Sequence, residues 1–215
     1  MVSGAKLWTS LTFAISLVTA SPLSSDASSL EKRDSSFLVG YRGVSPGEAQ
    51  NYMKAGNFLT YETAGGPSHR IDQLGPGAYL SPSPGEWPAP WVCAVQAVST
   101  TQFNLLNKAW VPQTADDGCT PLWDNNGAPN RQAYLTSRGD SAFTTDNTLL
   151  FSTIARVDPP KLQLLIPAKL IQAGKVKFAV NCADITDTAA YGAIQALGSV
   201  DWYSWAKVKG TPQQI

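Results

Sequence analysis

The sequence predicts an α+β fold, and three observations carry that expectation. Short apolar runs of strand length recur at 37–42, 77–81, 149–157, 162–166 and 175–181. Helix signals between them are few, which argues against the regular strand–helix alternation of a doubly wound parallel sheet. The stretch left after N-terminal processing is ample for one hydrophobic core and too short for two typical domains.

The first 20 residues read as a signal peptide. Lys6 gives a positive start, 7–18 is an apolar run without charge, and Val18, Thr19 and Ala20 lie where signal peptidase cuts. That run falls short of the roughly 20 apolar residues a membrane span needs. Residues 21–33 are polar and Ser-rich and end in Lys32-Arg33, a dibasic pair resembling the site of kexin-type processing proteases. The protein is therefore expected to be secreted and extracellular, with a mature chain starting at Asp34. Removing 33 of the 215 residues leaves 182, expected as a single domain over 34–215. Loss of Lys6, Lys32 and Arg33 leaves 13 of 16 basic residues; loss of Asp26 and Glu31 leaves 14 of 16 acidic ones, a net charge of −1. No cluster of Lys or Arg remains, so neither nucleic acid nor a membrane is expected as a partner.

The elements follow in order. Residues 37–42 (FLVGYR) form a first strand. Ser45 then caps a helix with Pro46 at its first position and Glu48 closing a capping box. Ala49, Tyr52 and Met53 fall on one helical face, and Gly56 ends it. Residues 57–75 read as a loop and 77–81 (GAYLS) as a second strand. After the proline-broken stretch 82–90, a helix is expected from Pro90 through Trp91, Ala94, Val95 and Val98, then a short segment at 105–110. Residues 116–130 are turn-rich. Strands follow at 149–157, 162–166 and 175–181, and the chain ends on an aromatic strand carrying Trp202, Tyr203, Trp205 and Val208.

Three cysteines, Cys93, Cys119 and Cys182, in an oxidising compartment imply one disulfide and one leftover cysteine, free or bonded to a partner, with three pairings open. With a single histidine, His69, and no CxxC, no metal site is expected. Gly43-Val44-Ser45-Pro46-Gly47 spells the G-x-S-x-G elbow of serine hydrolases. Pro46 lacks the backbone N–H that the oxyanion hole needs, and His69 followed by Asp72 reverses the acid-then-histidine order. Ser45 is read as a helix cap. Arg138-Gly139-Asp140 is read as a charged turn rather than an integrin-type tripeptide.

A spread-out constellation carries more. Tyr41-Arg42-Gly43 ends the first strand, 77–83 (GAYLSPS) makes the second, and Ala196-Leu197-Gly198 precedes the aromatic end. In that order the three resemble the heat-labile enterotoxin and cholera toxin A-chain family of ADP-ribosyltransferases. There a first strand ends in Tyr-Arg, a second reads Gly-Tyr-Val-Ser-Thr-Ser, and a Glu-x-Glu pair precedes Val-Ser-Ala-Leu-Gly-Gly. The resemblance implies an ADP-ribosyltransferase-like fold of split mixed and antiparallel sheets with short helices. It implies NAD as substrate, held by Arg42, Tyr79, Ser81 and Ser83, and a host protein as acceptor. Arg42 offers a planar charged fork suited to phosphate. Pro82 replaces the motif's middle threonine.

The same alignment puts Tyr191 and Ala193 at the two glutamate positions, projecting from a strand or loop. The chain has four glutamates, Glu31, Glu48, Glu62 and Glu86, and none after Glu86. Nicotinamide departs through an oxocarbenium-like state, and losing a carboxylate placed for that charge costs orders of magnitude in rate. The expectation is a secreted toxin- or effector-like protein that binds NAD with weak or lost transferase activity. The alternatives are an active transferase or NAD glycohydrolase using a displaced Asp184, Asp187 or Asp201, and a non-enzymatic secreted binding protein.

Overall fold

In the computed structural model, which describes residues 35–61, 73–139 and 141–213, seven strands form two sheets. The three-stranded sheet has the order β1 (Phe37–Val44), β3 (Trp91–Ala97), β7 (Phe178–Asp184). The four-stranded sheet has the order β2 (Gly77–Leu80), β6 (Leu162–Pro167), β5 (Thr148–Thr153), β4 (Asn107–Trp110). All neighbours are antiparallel except β4 and β5, so the second sheet is mixed. Helices are short: α1 (Pro46–Lys54), α2 (Thr100–Asn104), α3 (Asp124–Gly139), α4 (Ala168–Ala173) and α5 (Thr188–Gln195). The α+β class expected from the sequence is present, and every described residue lies in one compact unit, Asp34–Ile215. The signal peptide and the dibasic segment, with Glu62, His69, Asp72 and Asp140, lie outside the described residues.

Three expectations are corrected. The helix expected from Pro90 is strand β3, the centre of its sheet. Its unbroken apolar run reflects burial on both faces rather than a helical stripe. Cys93, Val95 and Ala97 enter the main core, while Val92 and Ala94 join Tyr41, Ala183 and Ile194 beneath α5. The turn-rich stretch becomes helical from Asp124 despite Gly127 and Pro129. Tertiary contacts override that weak propensity. Arg131, buried, donates to the carbonyls of Leu122 and Asp124, both at 3.1 Å, while Tyr134 and Leu135 fill a second core cluster. The aromatic C-terminal strand is instead a turn of 3-10 helix, Trp202–Ser204, followed by a single parallel bridge between Ala109 and Lys209. On α1, Ala49 and Tyr52 are buried, whereas Met53 is 43% exposed.

Trp202 wedges into the main core with Val39 of one sheet and Phe151 of the other. The β1–β3 pairing shifts register between Leu38 and Gly40, which leaves Val39 as the extra residue. Its carbonyl accepts the Trp202 indole N–H at 2.9 Å. A disulfide joins Cys93 and Cys182, which face each other across β3 and β7, and Cys119 is an exposed free thiol.

Candidate functional site

Strand β1 edges one sheet and β2 edges the other, and the two meet at a single antiparallel bridge between Tyr41 and Ser81. Tyr41 N–H donates to Ser81 O at 2.9 Å and Ser81 N–H returns to Tyr41 O at 2.8 Å. The approach depends on Gly40, where a Cβ would lie 2.8 Å from Ser81 O and 3.2 Å from the Trp202 ring. Ser81 is buried, and its hydroxyl donates to Ser83 O at 2.9 Å.

The segment after α5 is stitched onto this seam. The Tyr41 hydroxyl donates to Gly198 O, Val200 N–H donates to Pro82 O at 2.9 Å, and the Ser83 and Ser199 hydroxyls lie 2.7 Å apart. Burial raises the Tyr41 phenol above its ordinary range. Three stretches far apart in sequence, around Tyr41, Ser81 and Gly198, therefore converge at the junction of the two sheets.

Arg42 stands aside from that convergence. It is 8% exposed and fully engaged: Nε and Nη2 donate to Glu48 Oε1 at 3.1 and 2.8 Å, and Nη1 donates to Tyr79 O at 3.1 Å. The Tyr52 hydroxyl donates to the same carboxylate oxygen at 2.7 Å. Burial opposes the Arg42 charge, but Tyr52 and Glu48 outweigh it and hold the guanidinium above its ordinary value. Burial likewise raises the Tyr52 phenol. Glu48 thus completes only half of the expected capping box. Ser45 accepts from the Glu48 N–H at 3.2 Å, while the Glu48 carboxylate turns inward to Arg42. Tyr79 meets Arg42 through its carbonyl, while its hydroxyl accepts from Leu74 N–H at 2.8 Å and donates to Gly75 O at 2.9 Å.

Tyr191 and Ala193 lie on helix α5, not on a strand or loop. Ala193 is exposed, and Tyr191 is half-buried. The three aspartates each close local structure. Asp184 Oδ1 accepts from Thr186 N–H at 2.8 Å and from its hydroxyl at 2.7 Å, bonds that hold its carboxyl below its ordinary value. Asp187 caps α5, and Asp201 caps the 3-10 turn.

Sequence reasoning passed over Glu86, three residues beyond Ser83. Burial raises its carboxyl, against the opposing pull of Lys161 and a hydrogen bond from Ser83. Its Oε2 is buried and has no hydrogen-bond partner among the described residues. Lys161 Nζ donates to Glu86 O at 3.2 Å and lies 5.8 Å from the Trp87 ring centroid. The available signal was position: the first carboxylate after a strand ending in two site serines. Beside it, Gly85, Trp87, Pro88, Pro90, Ile185 and Tyr191 line a groove of about 560 Å³. Arg138-Gly139, read as part of a turn, ends α3, with Arg138 ion-paired to Asp116. Among the described residues no three His, Cys, Asp or Glu side chains gather to hold a metal ion, and no helix is long and apolar enough to cross a membrane.

Fold and seam define an α+β protein of two sheets joined at one edge-to-edge bridge. The chain belongs to DUF5910, a family of unknown function whose sequence model matches residues 72–211. That match takes in Tyr79, Ser81, Ser83 and α5, while Tyr41 and Arg42 precede it. No curated protein matches the chain.

Proposed function

We propose that this is a secreted effector-like protein of ADP-ribosyltransferase type that binds NAD at the sheet junction, with transferase activity weak or lost. The observation that carries the reading is the convergence at one seam of the Tyr41, Ser81–Ser83 and Gly198 stretches, the three on which the family resemblance rests. Two features favour weak or lost chemistry. Arg42 is held by Glu48, so NAD phosphates must compete with a buried ion pair for the guanidinium. The glutamate positions hold Tyr191 and an exposed Ala193, and the nearby aspartates are committed to caps and turns. A host protein is the partner in this reading.

Nicotinamide release from the purified mature protein measures the claim. The expected result is NAD binding with turnover at or near the uncatalysed rate. Robust turnover abolished at Asp184, Asp187 or Asp201 would sink it. The disulfide fits an oxidising compartment. N-terminal sequencing of secreted material is expected to start at Asp34, and a start at Ser21 overturns processing after Arg33.

A further inference from the structure

We propose that Glu86, Ser83 and Ser199 form a directed hydrogen-bond relay whose outer end, the Ser199 hydroxyl, receives a sugar hydroxyl of the ligand, with Glu86 as the positioning residue that sets the direction. The ligand class is a ribosyl group. This rests on the NAD reading above and adds to it Glu86 and Ser199, two residues to which the family resemblance gives no role.

The direction follows from the inner end. The Ser83 hydroxyl donates to the Glu86 carboxyl. A hydroxyl has one proton to donate. At the 2.7 Å contact between the two serines, Ser199 is therefore the donor and Ser83 the acceptor. With its own proton committed inward, the exposed Ser199 oxygen offers only lone pairs. That selects the ligand's chemistry. The ionised phosphates of a dinucleotide have no proton to offer and are refused, whereas a sugar hydroxyl supplies one. Each hydroxyl in such a chain polarises the next, and an ionised acceptor at its inner end strengthens the whole.

The relay is also held in place. Gly198 and Val200 flank Ser199, and both are tied to the seam, Gly198 O by the Tyr41 hydroxyl and Val200 N–H by Pro82 O at 2.9 Å. On the other side, Ser83 O accepts the Ser81 hydroxyl at 2.9 Å, and Glu86 O accepts from Lys161 Nζ at 3.2 Å. Glu86 Oε2 is buried without a partner among the described residues. Such atoms are uncommon and lower stability, a cost that a turn serving only the fold has no need to carry. Gly85, the residue before Glu86, packs against the Tyr191 hydroxyl, which a Cβ there would meet at 2.6 Å. Tyr191 holds one of the two aligned glutamate positions, so the ribose at this end of NAD is the one that carries nicotinamide.

The test is calorimetric titration of the mature protein with NAD, nicotinamide riboside and free nicotinamide, which has the ring and carboxamide but no sugar. Nicotinamide riboside is expected to bind, and nicotinamide at least tenfold more weakly. Ser199→Ala, at an exposed position, is expected to weaken the riboside and NAD by about fivefold, the loss of one hydrogen bond. Ser199→Thr keeps the hydroxyl and retains most of the affinity. Glu86→Gln is expected to weaken both ligands by about threefold, and to have no further effect in a Ser199→Ala background, because it acts through that hydroxyl. A Glu86 that only supports the fold gives the same loss in both backgrounds, and that result overturns the relay. So does a riboside that binds no more tightly than nicotinamide. Riboside binding without NAD binding upholds the relay and overturns the NAD reading. NAD affinity unchanged in Ser199→Ala and Glu86→Gln overturns the relay and leaves the NAD reading standing, and binding of neither ligand overturns both.

Discussion

Trp202→Ala is expected to lower the stability of the mature protein by about 4 kcal/mol, within the range for emptying a buried tryptophan site. Trp202 is 1% exposed and, with Trp205, is a side chain through which the C-terminal segment grips both sheets. Its ring packs against Phe151 at 5.8 Å and Trp205 at 6.5 Å, and its indole N–H meets the bulged Val39 carbonyl. Truncation leaves a cavity at the seam and orphans a buried carbonyl. Trp202→Phe refills part of the volume but still leaves Val39 O unpaired, so an intermediate loss of about 2 kcal/mol is expected. Urea denaturation followed by tryptophan fluorescence and circular dichroism measures both. A loss under about 1 kcal/mol for Trp202→Ala would show that the two sheets hold together without it.

Removing Glu48 is the second large effect. Glu48→Ala strands the buried Arg42 guanidinium, with Nε and Nη2 deprived of their carboxylate acceptor while Nη1 keeps the Tyr79 carbonyl. Breaking a buried pair from one side typically costs about 3 kcal/mol or more, most of it the penalty of the uncompensated charge. The double replacement Arg42→Met, Glu48→Leu removes both charges and is expected to recover most of that loss. If the single change costs no more than the double, the pair contributes nothing specific. Glu48→Gln keeps an acceptor in place while weakening the hold on the guanidinium. In the NAD reading it is therefore expected to raise NAD affinity even as it lowers stability, two effects of opposite sign that a purely structural Arg42 would not produce.

The sequence was most legible where the signal is local. Strands β1, β2, β5, β6 and β7 announce themselves as short apolar runs, and Ser45 with Pro46 marks the start of α1. Legibility failed where burial or tertiary contact decides. A central strand covered on both faces gives no period-2 alternation, so Trp91–Ala97 read as a helix. The poor helix formers of α3 gave no hint of the carbonyls that Arg131 would organise. At the site, the order of motifs pointed to the stretches that the seam brings together, but not to their wiring. A capping-box rule sends Glu48 back to its own helix terminus, and only the fold shows its carboxylate turned to Arg42 instead. Glu86 carried no motif, and its environment depends on Lys161, 75 residues away.

Cys93 and Cys182 sit on neighbouring strands yet are 89 residues apart in the chain. Everything between them, α2, β4, α3, β5, β6 and α4, leaves the three-stranded sheet after β3 and returns at β7. In chain order, most of the four-stranded sheet is thus one long excursion whose neck is the disulfide. Closing a loop of that length removes about 4.5 kcal/mol of conformational freedom from the unfolded chain in the entropic account. During synthesis, β3 emerges well before the strand that flanks it and must wait with one edge unpaired until the excursion is complete. Oxidation at the neck then acts as a latch on a finished journey, and a thiol such as Cys119, made inside the excursion, is the competitor that could close it too early.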